Sequence, residues 1–246
     1  MPNAVTTGLP DLPTVFTPVF ALREGGDAMA RALVLGPKHG AGTLVWVRSS
    51  ARIEAAVVLE PEQPLAAARP ALFAAMNALC DALGAYGPPE VPLTLRWPGR
   101  IAVNGGEIGR ARIAWPEATA EAEIPAWIVV GIEARLIFPD GWEPGQGAGQ
   151  TALRDEGWTE DEVSAADLTA TWARHLMAGL AEWQRPGFTG GFQRVAEKYL
   201  ARLEPVPGMG AALGKARRGL DPGTGDLVVE QDNARHVLSL IESLAE

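Results

Sequence analysis

Arginines set into strand-like segments, and glycines set between elements, carry most of the chemical potential of this 246-residue chain. Arg96 ends the apolar stretch 93–97, Arg110 follows Ile108 and Gly109, and Glu133 and Arg135 interrupt the apolar run 127–138. A guanidinium presents a rigid fork of donors that matches carboxylate and phosphate oxygens. Arg96 reads equally as a strand-end residue paired with a surface carboxylate. Glu133 with Arg110 or Arg135 reads either as a buried ion pair, because buried charges are normally paired, or as a set of ligand contacts. The run Lys38-His39-Gly40-Ala41-Gly42-Thr43 can turn backbone N–H groups toward an anion. Trp97 and Pro98 suit packing and turn formation, Asn104-Gly105 suits a hairpin turn that needs positive φ, and Asp27 suits a helix N-cap. His39, His175 and His236 are too scattered for metal-ligand spacing. No Gly-x-Ser-x-Gly, phosphate-loop or dinucleotide fingerprint is present, and Cys80 in an apolar helical pattern reads as a small buried hydrophobe.

These residues need elements to position them. Apolar periodicity predicts a short helix over 27–35, then strands over 42–47 and 53–59 split by the polar turn 48–52. A helix over 65–85 repeats apolar residues every three or four positions and ends at glycine. Strands follow over 93–97, 101–103 and 111–115, and a long one over 127–138. The stretch 139–150 is rich in Gly and Pro and predicts an exposed loop; helices over 165–184 and 192–203 and a strand pair over 226–230 and 236–239 complete the chain. The sum is an α+β architecture, a mixed and mostly antiparallel sheet covered by helices. The long apolar strand 127–138 would aggregate if its edge were bare, which predicts that the tail or a second copy of the chain covers it; the tail looks short for that, so a homodimer is expected.

Hydrophobic residues make up 47% of the chain and charged residues 21%, which places it among folding globular proteins rather than disordered ones. A formal charge of −9 repels phosphate backbones, and the one short basic cluster is Lys215, Arg217 and Arg218, so neither nucleic acid nor an anionic membrane is an expected partner. The start has neither the basic region nor the apolar run of a signal peptide, no stretch approaches a membrane span, and the lone cysteine suits a reducing compartment; a cytoplasmic location is expected.

From about Pro18 onward, the order of local patterns resembles the biotin/lipoate protein ligase family. Arg96-Trp97-Pro98-Gly99-Arg100 with Ile101 to Gly105 resembles the family's Lys-Trp-Pro-Asn-Asp strand and hairpin. Trp127 to Ile132 resembles its apolar strand ending in Gly-Ile-Gly, Thr151-Ala152-Leu153 with Glu156-Gly157 its Thr-Ser-Leu and Glu-Gly segment, and Arg218 to Asp221 with Gly225 to Val229 the turn and strand of its small C-terminal β domain. The resemblance implies a leader over 1–17, a ligase-like domain over 18–205 with a class II synthetase-like sheet, and a truncated β domain over 206–246. It implies acyl-adenylate formation from a small carboxylic acid and ATP with Mg, then acyl transfer to a lysine of a biotinyl or lipoyl carrier domain; biotin and lipoate are the candidate acids. Arg96 stands where the family's catalytic lysine stands, and Gly40, Gly42, Trp97, Asn104, Gly105, Gly109, Arg110, Gly131 and Glu133 fall at substrate- or nucleotide-binding positions. No metal-binding residue is assigned. The chain departs from the pattern at chemically important points. The loop 38–43 keeps glycines but lacks the family's arginines, Arg110 and Glu133 replace glycines, Arg135 replaces asparagine, and Gly99-Arg100 replaces Asn-Asp. These departures imply a second reading: a catalytically inactive ligase fold that binds a small carboxylate or a carrier domain.

Overall fold

The computed structural model describes residues 8–143, 146–184, 191–206, 217–231 and 234–245. Lys215 of the short basic cluster lies outside the described residues, as does the start of the expected leader. Seven strands form the main sheet: β1 (Val19–Leu22), β2 (Leu44–Val47), β3 (Arg52–Leu59), β4 (Leu93–Arg96), β5 (Arg100–Val103), β6 (Gly106–Ala114) and β7 (Ile128–Arg135). Their spatial order is β1-β2-β3-β7-β6-β5-β4, with only β1 and β2 running parallel. A second, three-stranded antiparallel sheet contains β8 (Arg217–Leu220), β9 (Leu227–Gln231) and β10 (Ala234–Leu238) in the order β10-β9-β8.

Alternation along each strand sends side chains to opposite faces, and the two faces are treated differently. One face carries Ile53, Ala55, Val57, Leu95, Ile101, Ala111, Val130 and Ile132 into the main core, beneath α3 (Ala71–Gly84) and α4 (Ala165–Trp183). The α3 sequence is almost wholly apolar and rich in alanine, so twelve of its residues are buried and α4 packs closely along it. The tryptophans set into this core keep their N–H groups satisfied: Trp158 donates to the Leu83 carbonyl and Trp172 to the Ala75 carbonyl. The opposite face is roofed only in part, where α1 (Ala28–His39) lies on Val45, Val47, Ala56, Val58 and Val129. That leaves β6, β5 and β4 on this face without a helix.

Local signals explain where the elements begin. Asp27 Oδ1 accepts from the Ala30 amide at the start of α1, and Ser164 and Asp167 form a reciprocal capping box at the start of α4. The expected single helix 65–85 is broken into α2 (Leu65–Ala68) and α3 at Arg69-Pro70, since proline cannot supply the amide that a continuous helix needs. α5 (Gly191–Arg202), β9 and β10 match expectation closely, while β1, β8 and α6 (Leu240–Ala245) were not anticipated.

Two expectations are corrected. β7 is not an edge strand, because it is hydrogen-bonded to β3 over its whole length and to β6 on its other side. The exposed edge that motivated a homodimer therefore does not exist. Over its described residues, 8–17, the expected leader packs on the domain: Leu9 and Phe16 are buried in the main core, and Arg174 on α4 donates to the Pro10 and Asp11 carbonyls. Among the described residues no helix is long and apolar enough to cross a membrane.

Candidate functional site

The unroofed half of the sheet carries a stripe of charge. β4 pairs Arg96 with Arg100 of β5, and β5 pairs Arg100 with Arg110 of β6, so three arginines stand side by side across three strands. Directly opposed residues sit about 5 Å apart at Cβ, and like charges so placed repel. The next pairs continue the stripe: Arg110 faces Glu133, Glu133 faces Glu54, and Arg52 faces Arg135. A cleft of about 440 Å³ opens over this stripe, lined by Arg52, Arg100, Arg110 and Arg135, by Glu107 and Glu133, and by Ala51, Ile108, Gly109, Ile137 and Pro139.

The cations differ in how far they are committed. Arg52 is held in place, with Nε on Glu54 at 2.8 Å and Nη2 on the Glu24 and Gly26 carbonyls. Glu54 itself is buried and uses its other oxygen to accept from the Ala28 amide at 2.7 Å, so one carboxylate anchors both the arginine and the first turn of α1. Arg135 donates to the Thr151 carbonyl and the Gln150 side chain and lies over the Phe138 ring. Arg100 makes a single ion pair, Nη1 to Glu107 at 2.9 Å, and Arg110 lies 3.7 Å from Glu133, beyond hydrogen-bonding range. Both have side chains more than half exposed, 54% and 53%, so donors of each remain open to solvent at the cleft.

The residues expected from the sequence are not gathered into one site. Arg110, Glu133 and Gly109 meet in the cleft, Gly109 because the backbones of β6 and β7 approach so closely that an added Cβ would fall 1.9 Å from the Glu133 carbonyl oxygen. The Arg110–Glu133 pair is half-exposed rather than buried, and Arg135 does not pair with Glu133, so no buried ion pair blocks the pocket. Arg96 is turned away and engaged: Nε donates to Glu204 at 2.7 Å and Nη2 to the Gly105 carbonyl at 2.8 Å. It lines a second cleft of about 650 Å³ between β4 and the small sheet, with Trp97 and Glu204. Trp97 packs against Phe73 and Tyr199 and donates to Ser243 Oγ, which is packing work. Asn104 and Gly105 form the β5–β6 turn at φ 49° and 81°, and Asn104 donates to Glu156. Gly131 lies under α1, where a Cβ would come 3.0 Å from Met29 Sδ.

Gly40 and Gly42 lie away from this cleft, toward the other end of β3. Lys38 and His39 belong to the last turn of α1 rather than to a loop, and the Gly42 amide donates to Val58, six residues along β3 from Arg52. At about 3.3 Å per residue that is about 20 Å from the cleft. The connection that does reach the cleft is 48–51, between β2 and β3, and it contains no glycine. The sequence reading missed Arg52, Arg100 and Glu107 as cleft residues; charged residues alternating with apolar ones on β3, β5 and β6 were the available signal.

Other chemistry can be set aside. Burial pushes the Cys80 thiol up to about 12, so it stays protonated and is no nucleophile. Burial also raises the Tyr199 hydroxyl well above its ordinary range, and it donates to the Pro98 carbonyl. Burial alone would raise Glu204, but hydrogen bonds from Thr94 and Arg96 together with the Arg96 charge outweigh it and hold the carboxyl below its usual value. Among the described residues no group of three or more His, Cys, Asp or Glu could hold a metal ion, and Glu107 and Glu133 each already face an arginine.

The seven-stranded sheet, half-roofed and followed by a small separate sheet, is the biotin protein ligase fold. A biotin protein ligase from Aquifex aeolicus in complex with biotin and ATP superposes with a TM-score of 0.63 at 12% identity, covering 91% of this chain and 96% of that one. A biotin protein ligase-like protein of unknown function from Silicibacter sp. TM1040 gives a TM-score of 0.76 at 28% identity, covering 96% and 99%. Residues 12–201 match the biotin/lipoate A/B protein ligase family, and the chain belongs to that family. Biotin--[acetyl-CoA-carboxylase] ligase of Paracoccus denitrificans is 29% identical over 168 residues, which span 65% of this chain and 66%, just under two thirds, of that protein.

Proposed function

We propose that this member of the family binds a small carboxylic acid at the Arg100–Arg110 pair and does not carry out biotin ligation. The observation that supports it is the row Arg96–Arg100–Arg110. Three like charges placed in register repel one another; Glu204 and Glu107 offset Arg96 and Arg100 in part, and Arg100 and Arg110, each more than half exposed, keep donors free for a further anion. Ligation requires more than a grip on an acid. Forming an acyl adenylate needs cations at the α-phosphate, close backbone approach to the nucleotide and a dry site for the mixed anhydride. Here Arg96 is tied to Glu204, and the glycines of 40–42 are at the far end of the sheet.

Family membership favours a second reading, in which the same cleft takes ATP and an acid such as biotin or lipoate, and passes the acyl group to a lysine of a carrier domain. One experiment separates the two. Calorimetric titration with biotin, lipoate, octanoate and ATP, each alone, should show carboxylate binding without ATP, lost in Arg110→Ala. It should be accompanied by no acid-dependent pyrophosphate release. Pyrophosphate release at the rate of an ordinary ligase would establish the second reading and sink the first.

A further inference from the structure

The arginine row already holds one carboxylate. Glu107 reaches over it from β6, with Oε1 2.9 Å from Arg100 Nη1 and Oε2 3.9 Å from Arg96 Nη1. A surface glutamate free to swing would not stay there, but the Glu107 backbone is pinned on its outer side: its amide donates to the Gly149 carbonyl at 2.7 Å and its carbonyl accepts from the Thr151 amide at 3.1 Å. Its side chain is only 26% exposed. Glu107 thus behaves as a built-in counter-ion occupying one of the positions an anion could take on the row.

The charge balance gives this a consequence. The cleft's four guanidiniums, on Arg52, Arg100, Arg110 and Arg135, face three carboxylates: Glu107, Glu133 and Glu54, the last bonded to Arg52 from below. One positive charge is left over: Arg52, Arg100 and Arg110 each stand by a carboxylate, whereas Arg135 donates only to neutral oxygens, the Thr151 and Glu107 carbonyls and the Gln150 side chain. Beside it are the apolar Ile108, Ile137 and Pro139, with Ile137 41% exposed at the rim.

We propose that Glu107 is the charge selector of this cleft: it fills one anion position on the arginine row, so that the site admits a singly charged carboxylate with an apolar tail and refuses dianions such as phosphate monoesters. The inference rests on the carboxylate-binding reading above. Removing the Glu107 charge leaves two positive charges in excess and frees Arg100, which is the requirement of a dianion.

The test uses two probes with the same tail, hexanoate and hexyl phosphate, titrated calorimetrically at pH 8 into the full-length protein. The native protein should bind hexanoate more tightly than hexyl phosphate by roughly tenfold, the worth of one charge-assisted hydrogen bond gained or opposed. Glu107→Gln should bind hexyl phosphate roughly tenfold more tightly than the native protein does, cancelling the native preference. Glu107→Asp should restore the native order, and both variants should melt near the native temperature, since the backbone bonds of residue 107 are kept. A preference unchanged in Glu107→Gln, with hexanoate still bound, overturns the selector while leaving carboxylate binding intact. Absence of binding by either probe to native protein and variant overturns both.

Discussion

At the scale of single residues, the chemistry turns on which charges are committed to the fold and which are left for a ligand. Arg96 illustrates the difference. In sequence it is the residue standing where the family's catalytic lysine stands, whereas in the structure its guanidinium joins the Glu204 carboxylate to the Gly105 carbonyl across two connections of the main sheet. Arg96→Ala should therefore destabilise the protein by about 1–2 kcal/mol, for two charge-assisted hydrogen bonds that are one-third exposed. That corresponds to a fall in melting temperature of roughly 2–6 °C in calorimetry. An unchanged melting temperature would mean that the contacts contribute nothing. Arg110 was legible as a cleft residue because it follows a glycine and breaks an apolar strand. Arg52 and Arg100 were not, because a lone arginine at a turn has no local mark separating it from a solvated one; only cross-strand register brings them together. The Glu54 role was hidden for the same reason, since its partners Ala28 and Arg52 are defined by packing of α1 on the sheet.

At the scale of elements, most of the sheet and the long helices could be read from periodicity, and the failures share a cause. The strand expected over 127–138 was rightly apolar, yet an apolar run says only that both faces are buried and not whether the strand is central; β3 and β6 supply the answer from far along the chain. Glycines 40 and 42 were assigned to the ligand because glycine invites that assignment, but Gly42 is required where a Cβ would meet the Val15 carbonyl oxygen at 2.2 Å, a packing constraint at the far end of the sheet. Gly109 is the glycine that shapes the cleft. Its neighbours are backbone atoms of β7, which cannot move without opening the ladder between β6 and β7. Gly109→Ala should therefore cost about 3 kcal/mol or more, above the range of ordinary overpacking. Chemical denaturation with a linear extrapolation would read this as a lower midpoint. A loss below about 1 kcal/mol would show that the strands can part cheaply.

At the scale of the whole molecule, the two sheets are joined by a short set of contacts that run through the site's second cleft. Leu227, Val229 and Leu240 bring the small sheet and its terminal helix into the main core; Trp97 reaches Ser243, and Arg218 donates to the Leu203 and Leu200 carbonyls. Glu204 lies at the centre of this junction, on the segment leaving α5, with its amide on the Leu95 carbonyl and its carboxylate on Thr94 and Arg96. Those partners hold its carboxyl below the ordinary glutamate range despite its burial. A carboxyl depressed in the folded state binds protons more readily once unfolded, so its contribution to stability is present above the unfolded value, about 4.3, and is lost as pH falls through the lower folded value. The native protein should thus melt above Glu204→Gln by a gap that is constant between about pH 6 and 8, narrows below about pH 4.3 and closes in stronger acid. Calorimetric scans of both proteins across that range check it. A gap independent of pH would assign the effect of Glu204 to shape and hydrogen-bond geometry alone, and a gap that widened in acid would mean that the carboxylate is not the form the junction favours.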